Sequence, residues 1–214
     1  MVVFWKILFE RKAELLLYFW EHLKLSGTSV IIAIVIGIPL GIILTRKKSL
    51  AIPVVNIINI FQTIPSLALL GFLIPLIGIG AKPAILALSL YSLLAIVKNS
   101  MAGINQVDKD LIESGMGMGM TNIQILLRIE LPLAVPIIFS GIRIAAVTCI
   151  GIATLCAAIG AGGLGQFIFR GISMVNTNMI LLGALPTALL ALIVDFSLHF
   201  IEKKLTPAQQ KYNY

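Results

Sequence analysis

Charged side chains are scarce in this sequence. Only 12% of its 214 residues are Asp, Glu, Lys or Arg, whereas 59% are hydrophobic. Soluble domains carry about 25% charged and about 45–50% apolar residues. So few charges could not cover a water-soluble globule, and a disordered chain would be less hydrophobic. The composition therefore predicts a membrane protein and excludes a soluble enzyme. The net charge of +7 then indicates Lys and Arg that hold loops at the membrane surface, not nucleic-acid binding.

Residues that support catalysis or metal binding are also few. The only cysteines, Cys149 and Cys156, lie about 10 Å apart along one predicted helix, beyond disulfide reach. We find no metal-ligand spacing, no catalytic triad and no Walker A motif. Gly160, Gly162 and Gly165 fit G-x-G-x-x-G, but no strand precedes them, so a dinucleotide site is excluded. We expect a protein that is not an enzyme and binds no cofactor or metal itself.

Long apolar runs define five candidate membrane spans. The run from Leu25 to Thr45 has about the 20 residues that cross about 30 Å of hydrocarbon. The second run, from Ser49, is too long for one span and must turn near Pro75 and the following Gly-Ile-Gly. The sequence thus predicts an all-α membrane protein with five transmembrane helices, cytoplasmic helices between spans three and four, and spans at residues 25–45, 49–75, 83–104, 131–159 and 178–201.

The remaining segments flank this transmembrane domain, which we place at residues 25–204. Residues 1–24 contain both tryptophans and read as an interfacial helix, with a loose tail as the alternative. Residues 205–214 are predicted as a cytoplasmic tail. Five spans put the termini on opposite sides, and the positive-inside rule favours an outside N-terminus and a cytoplasmic C-terminus. Lys98 is counted among the cytoplasmic edge charges.

The polar stretch at residues 105–131, between spans three and four, has clear helix signals. Asp108 can cap a first helix, and Gly119 suits a left-handed position that ends it. Thr121 and Gln124 form a capping box for a second helix, expected to end before Pro132. The prediction is two short helices with a sharp bend, on the cytoplasmic face.

Three methionines, Met116, Met118 and Met120, give this bend a soft apolar surface. Such a surface suits insertion into a protein groove. The alternative is a connector without a partner.

The spacing of this stretch resembles the EAA loop of ABC importer permeases, whose pattern is E-A-A, three residues, G, nine residues, I-x-L-P. Ser-Gly stands here for Ala-Ala, and both pairs are small. The matching positions are Glu113, Ser114, Gly115, Gly119, Ile129, Leu131 and Pro132. Over residues 22–206 the chain is also similar to glycine betaine, carnitine and choline permeases, in segments such as Gln62–Leu70, Ile74–Gly80 and Gly160–Gly165.

This resemblance implies a type I ABC importer permease in a bacterial cell membrane. Two permease copies would form the pathway, partner ATPases would bind ATP, and an extracellular substrate-binding protein would deliver solute. It also implies a short external helix after Gly165. The residues expected to couple to the ATPase are Glu113, Ser114, Gly115, Met116, Gly117, Met118, Gly119 and Met120.

A polar stripe on the second span is the candidate pathway lining. Its members recur at helical spacing, and polar groups in hydrocarbon need partners or water. The alternative is interhelical hydrogen bonding. Pro65 should bend this span, which could then serve as a gate. The stripe consists of Asn56, Asn59, Thr63 and Ser66, and Gln62 beside it is a further pathway-lining candidate.

Two charges, Arg143 and Asp195, lie deep in predicted spans four and five at similar depth. Unpaired charges there are costly, so we expect a structural ion pair, with a transport site as the alternative. His199 could share the face of Asp195, but we expect it at the inner interface.

Three functions stay open. The first is an ABC permease for compatible solutes, with recognition mainly in the binding protein because aromatics are only 7% and do not cluster in the spans. The second is an ABC permease for another small solute, such as an amino acid. The third is a secondary transporter or a channel, which the lack of inverted repeats and of paired broken helices disfavours. The sequence does not fix the solute, the regulation, whether the permease holds a substrate site, or whether the two copies are identical.

Overall fold

The fold is known from a computed structural model that describes residues 2–205, with side chains from Trp5 onward. The predicted tail, apart from Leu205, lies outside this range. The described residues form helices and no strand: α1 (Val2–Glu10), α2 (Lys12–Arg46), α3 (Lys48–Thr63), α4 (Ser66–Ile77), α5 (Ala81–Asn105), α6 (Lys109–Gly117), α7 (Asn122–Ile125), a π-helical turn (Leu126–Glu130), α8 (Leu131–Ala153), a 3-10 turn (Thr154–Ile159), α9 (Gly165–Ser173) and α10 (Thr177–Leu205).

Four helical stretches of the described chain are long and apolar enough to cross a membrane. They are α2, α5, the continuous run Asn122–Ile159, and α10. The pair α3 and α4, bent by 98°, makes a fifth when counted as one broken span. The predicted all-α membrane class is confirmed, and the span count reaches the predicted five with the bent pair counted as one span. The turn expected after the second span is also present, and Gly78 and Gly80 adopt positive φ there.

The first span begins earlier than predicted. The prediction of a separate helix over residues 1–24 is wrong. The helical structure is interrupted at Arg11, and α2 runs without a break from Lys12 to Arg46. Two of the charges that predict a boundary here have partners: Glu14 contacts Arg170 of α9, and Glu21 accepts the Gly163 backbone N–H at 2.9 Å. The helix can therefore extend past the apolar run.

Helix α5 packs between α2 and α8 and forms the centre of the bundle. Small residues let these helices approach closely, as is common in membranes. A methyl group on Gly41 of α2 would lie 2.6 Å from Ser100 Cβ, and one on Gly141 of α8 would lie 2.5 Å from Asn99 Cβ. This close approach fixes α5 in place and determines which of its residues face the open side.

Candidate functional site: a helical loop and a polar cleft

The 105–131 loop folds as two helical pieces joined by a sharp bend. Asp108 caps α6 by accepting the backbone N–H of Asp110 at 3.0 Å. The helix ends at Gly117, and Gly119 follows with φ of +80°. The Met120 N–H then bonds back to the Gly115 carbonyl at 3.1 Å, which closes the bend. The cap and the left-handed glycine are both as predicted.

The bend is packed on one side and exposed on the other. Gly115 is buried, and a methyl group there would lie 2.9 Å from Ile129 Cδ1 and 3.4 Å from Met120 Sδ. Met116 and Met118 point outward, with 54% and 75% of their surface exposed. The small residue at position 115 therefore holds the bend against the second helical piece while two methionines project from it.

The second helical piece does not end before Pro132 as we predicted. The Thr121–Gln124 capping box is present, and α7 continues through the π-helical turn directly into α8. Proline lacks an N–H and its ring clashes with the carbonyl four residues earlier. A wider π turn, placed just before Pro132, removes that conflict without breaking the helix. The loop is thus rigidly continuous with a membrane span.

A long-range ion pair that sequence reasoning missed ties this turn to α2. Glu130, the last residue of the π turn, has a side chain only 2% exposed and contacts the Arg46 guanidinium. The two residues are 84 positions apart. No local sequence pattern predicts that these two residues form a pair. Glu130 lies inside the I-x-L-P stretch and Arg46 ends a span, and each of these positions indicates only that the charge needs a partner.

A polar cleft of about 330 Å³ opens between α3, α5 and α8. Apolar atoms make up most of its wall, and five of the lining residues carry a polar group on their side chain. The lining residues are Gln62, Tyr91, Leu94, Ala95, Lys98, Asn99, Ile144, Ala145 and Thr148.

Only part of the predicted pathway lining lies at this cleft. Gln62 lines it and donates to the Tyr91 carbonyl at 2.8 Å, and Asn59 lies at its edge, 3.4 Å from Lys98 Nζ. Asn59 reaches the cleft only through this contact with Lys98, and the four candidates Asn56, Asn59, Thr63 and Ser66 are not among the lining residues.

Lys98, Asn99 and Thr148 were missed as lining residues. The sequence places Lys98 among the cytoplasmic edge charges, yet it lies within α5. One feature of the sequence could have identified Lys98: it is a charged residue within a 25-residue helix that is apolar enough to span the membrane.

The break in the second span is tied to α5 by one tyrosine. The α3 helix ends at Thr63 and α4 begins at Ser66, so the bend falls at Pro65, as expected. The Tyr91 hydroxyl donates to the Ile64 carbonyl at the break. Since the Tyr91 carbonyl also accepts from Gln62, α5 holds the α3 end of the hinge by two hydrogen bonds.

The charge cluster on α8 and α10 is larger than a pair. Arg143 Nε lies 3.5 Å from Asp195 Oδ1, and its Nη1 lies 3.1 Å from Glu202 Oε2. The same Nη1 donates to His199 Nδ1 at 2.7 Å. Because guanidinium can only donate, Nδ1 accepts and the imidazole proton is on Nε2. Glu202 is the nearer and less exposed carboxylate, at 21% against 43% for Asp195.

This geometry ranks the two carboxylates. We expect Glu202→Gln to lower the yield of monodisperse protein more than Asp195→Asn, since the closer, drier pair contributes more. Arg143→Glu should lower it most, because it places a third carboxylate in the cluster. Adding Asp195→Arg to that variant should restore at least about half of the yield, as charges deep in a span are tolerated when paired. Size-exclusion chromatography in detergent measures this, and no recovery in the double variant would contradict a structural pairing.

A second polar network joins α2 to α9 at the end of the bundle away from the 105–131 loop. Arg170 contacts Glu14, and its Nη2 donates to the Tyr18 hydroxyl at 2.8 Å. The hydrogen bond to Glu14 raises the pKa of the Arg170 guanidinium. The α9 helix is the short helix that the resemblance implied. No group of three His, Cys, Asp or Glu suited to a metal occurs among residues 2–205.

Comparisons with known proteins agree with this architecture. Residues 15–207 match the family described as binding-protein-dependent transport system inner membrane component. The carnitine transport permease OpuCB of Listeria monocytogenes is 48% identical over 198 residues, which cover 92% of this chain and 91% of the relative. The choline transport permease OpuBB of Bacillus subtilis (strain 168) is 47% identical, covering 91% and 90%.

A solved structure shows the same fold. The MetNI methionine ABC transporter, in an inward-facing conformation, superposes with a TM-score of 0.82 and 28% identity, covering 90% of this chain and 96% of that one. The family match covers most of the chain, and the fold similarity points to the same class of transporter. This multi-pass membrane protein therefore belongs to the family of binding-protein-dependent transport system inner membrane components and is the permease subunit of an ABC importer.

Proposed function

We propose that this permease imports compatible solutes such as glycine betaine, carnitine or choline. One observation carries the proposal: relatives that are 44–48% identical and cover nearly the whole chain are named for these solutes. The lower identity of 28% to a methionine transporter makes an amino-acid solute the weaker candidate.

The 105–131 loop is the proposed contact for a partner ATPase that binds the ATP. The exposed methionines Met116 and Met118, and the fixed bend at Gly119, support an insertion into a groove. Glu113, Ser114 and Gly117 complete the exposed face of α6, while Gly115 and Met120 support it from within. Because the loop continues rigidly into α8, a push on it would reach the membrane span.

The orientation follows from that contact. With the loop in the cytoplasm, the C-terminus is cytoplasmic, the N-terminus is outside, and α9 faces an extracellular substrate-binding protein in a bacterial cell membrane. A second permease copy, identical or paralogous, would close the open cleft between α3, α5 and α8 into a pathway. Gln62 and Asn59 would line it, and the hinge at Pro65 would let α4 move.

Reconstitution tests the proposal. We expect liposomes with this permease, its ATPase and its binding protein to accumulate labelled glycine betaine, carnitine or choline only when ATP is supplied. An ATPase variant without its Walker A lysine is the control and should abolish uptake. Uptake by the permease alone would indicate a secondary transporter, and ATP-driven uptake of methionine but none of the three solutes would assign an amino-acid permease.

A further inference from the structure

Lys98 holds its charge deep along the bundle. It lies seven residues before the end of α5, about 10 Å from the loop end at 1.5 Å per residue. Its Nζ lies 3.4 Å from Asn59 Oδ1, and Asn59 is eleven residues into α3, about 16 Å from its start. The ammonium group has therefore not extended to the membrane surface, as lysines near span ends commonly do.

The polar groups that surround Lys98 are all neutral. Gln62, Asn99 and Thr148 share the cleft, and none of its lining residues is acidic. No carboxylate lies within 4.0 Å of Lys98 in the described part of the chain. A charged group at this depth, if not paired, must face water or a passing ion. The Lys98 ammonium group therefore faces the cleft as a positive charge with no acidic residue lining the cleft beside it.

We propose that Lys98 selects, within the pathway, solutes that carry a carboxylate. This inference rests on the proposed function and names the substrate class within it. Glycine betaine and carnitine combine a quaternary ammonium with a carboxylate, so their negative end can meet the ammonium of Lys98. Choline has a hydroxyl in that place and a net positive charge, so the same group repels it. Between walls that are mostly apolar, such repulsion between unit charges is stronger than in bulk water.

The experiment compares Lys98→Gln and Lys98→Arg in the complete transporter with its ATPase and binding protein. ATP-driven uptake of carnitine, glycine betaine and choline is measured beside the ATP hydrolysis that the loaded binding protein stimulates. Lys82→Gln is the matched control, because Lys82 lies on the same helix at the other end and outside the cleft. The affinity of the isolated binding protein cannot change, since the substitutions are in another subunit.

We expect Lys98→Gln to lower uptake of the carboxylate solutes about tenfold, the effect of losing one charge-assisted contact, while ATP hydrolysis stays within about twofold. Lys98→Arg should keep at least about half of the uptake, and Lys82→Gln should match the wild type. Where choline is carried, its rate should stay or rise in Lys98→Gln.

The inference is overturned if Lys98→Gln changes all solutes equally, changes none, or lowers uptake only as far as it lowers ATP hydrolysis. It is also overturned if the wild type carries choline fastest, and in that case the proposed function still stands. If the wild type carries none of the three solutes, the proposed function itself fails.

Discussion

Replacing Gly119 with valine is expected to lower ATP-driven uptake by more than about tenfold. The backbone of Gly119 has a φ of +80°, where a β-branched residue is strained by about 2 kcal/mol. A cost of that size shifts a local equilibrium about 30-fold. The strain would change the angle between α6 and the second helical piece, and with it the direction of Met118. Uptake in reconstituted liposomes and co-purification of the ATPase are the measurements.

Gly119→Asn is the matched control for this prediction. Asparagine is about as large as valine but tolerates the left-handed conformation. No atom lies within 4 Å of a methyl group placed at this position, so the fold leaves room for either side chain. We expect Asn to keep at least about half of the uptake. Equal loss in both variants would mean that bulk in the partner's groove matters and not the bend. Full activity in both would mean that coupling does not need this bend.

Much of the fold could be predicted because the bilayer leaves few alternatives. Hydrocarbon cannot satisfy backbone groups, so every span must be helical and nearly free of charge over about 20 residues. The runs after Leu25 and Leu131 show this directly. The local features of the 105–131 loop were equally predictable, since the Thr121–Gln124 capping box and the Gly119 turn are each decided within a few residues.

Both misplaced boundaries have the same physical origin. The charges up to Lys24 and the ring of Pro132 are signals that end a helix only when nothing compensates for them. Here Glu21 receives the Gly163 N–H, and the π turn relieves the proline clash, so α2 and α8 continue. These compensations come from distant segments or from helix geometry, and a sequence pattern does not contain them.

The candidate site was predictable only where its parts are close in sequence. The sequence predicts Asn59 and Gln62 of α3 as pathway-lining candidates, but which residues face the cleft depends on how α5 and α8 pack against α3. The sequence predicts Lys98 as an edge charge, and only this packing shows that it lies at the cleft beside Asn59. The pairing of Arg46 with Glu130 has the same cause, and its consequences can be measured.

The two partners of this pair should respond very differently to substitution. The Glu130 side chain is 2% exposed, whereas that of Arg46 is 48% exposed. Arg46→Gln would leave a buried carboxylate without its counter-charge, which costs about 3–5 kcal/mol when both partners are buried and less here. We expect it to lower the Tm of the purified permease by about 5–10 °C. Glu130→Gln leaves only a half-exposed guanidinium, which water can solvate, and should cost much less.

The double variant decides between charge and shape. With both residues replaced by glutamine, no charge remains buried and the two amides can still bond to each other. We therefore expect the double variant to be more stable than Arg46→Gln alone and close to Glu130→Gln, a coupling that a double-mutant cycle reports directly. Additive losses would show that Arg46 acts through packing and not through its charge. Because the pair joins the end of α2 to the start of α8, loss of Arg46 should also weaken ATPase co-purification, and Glu130→Gln should restore it.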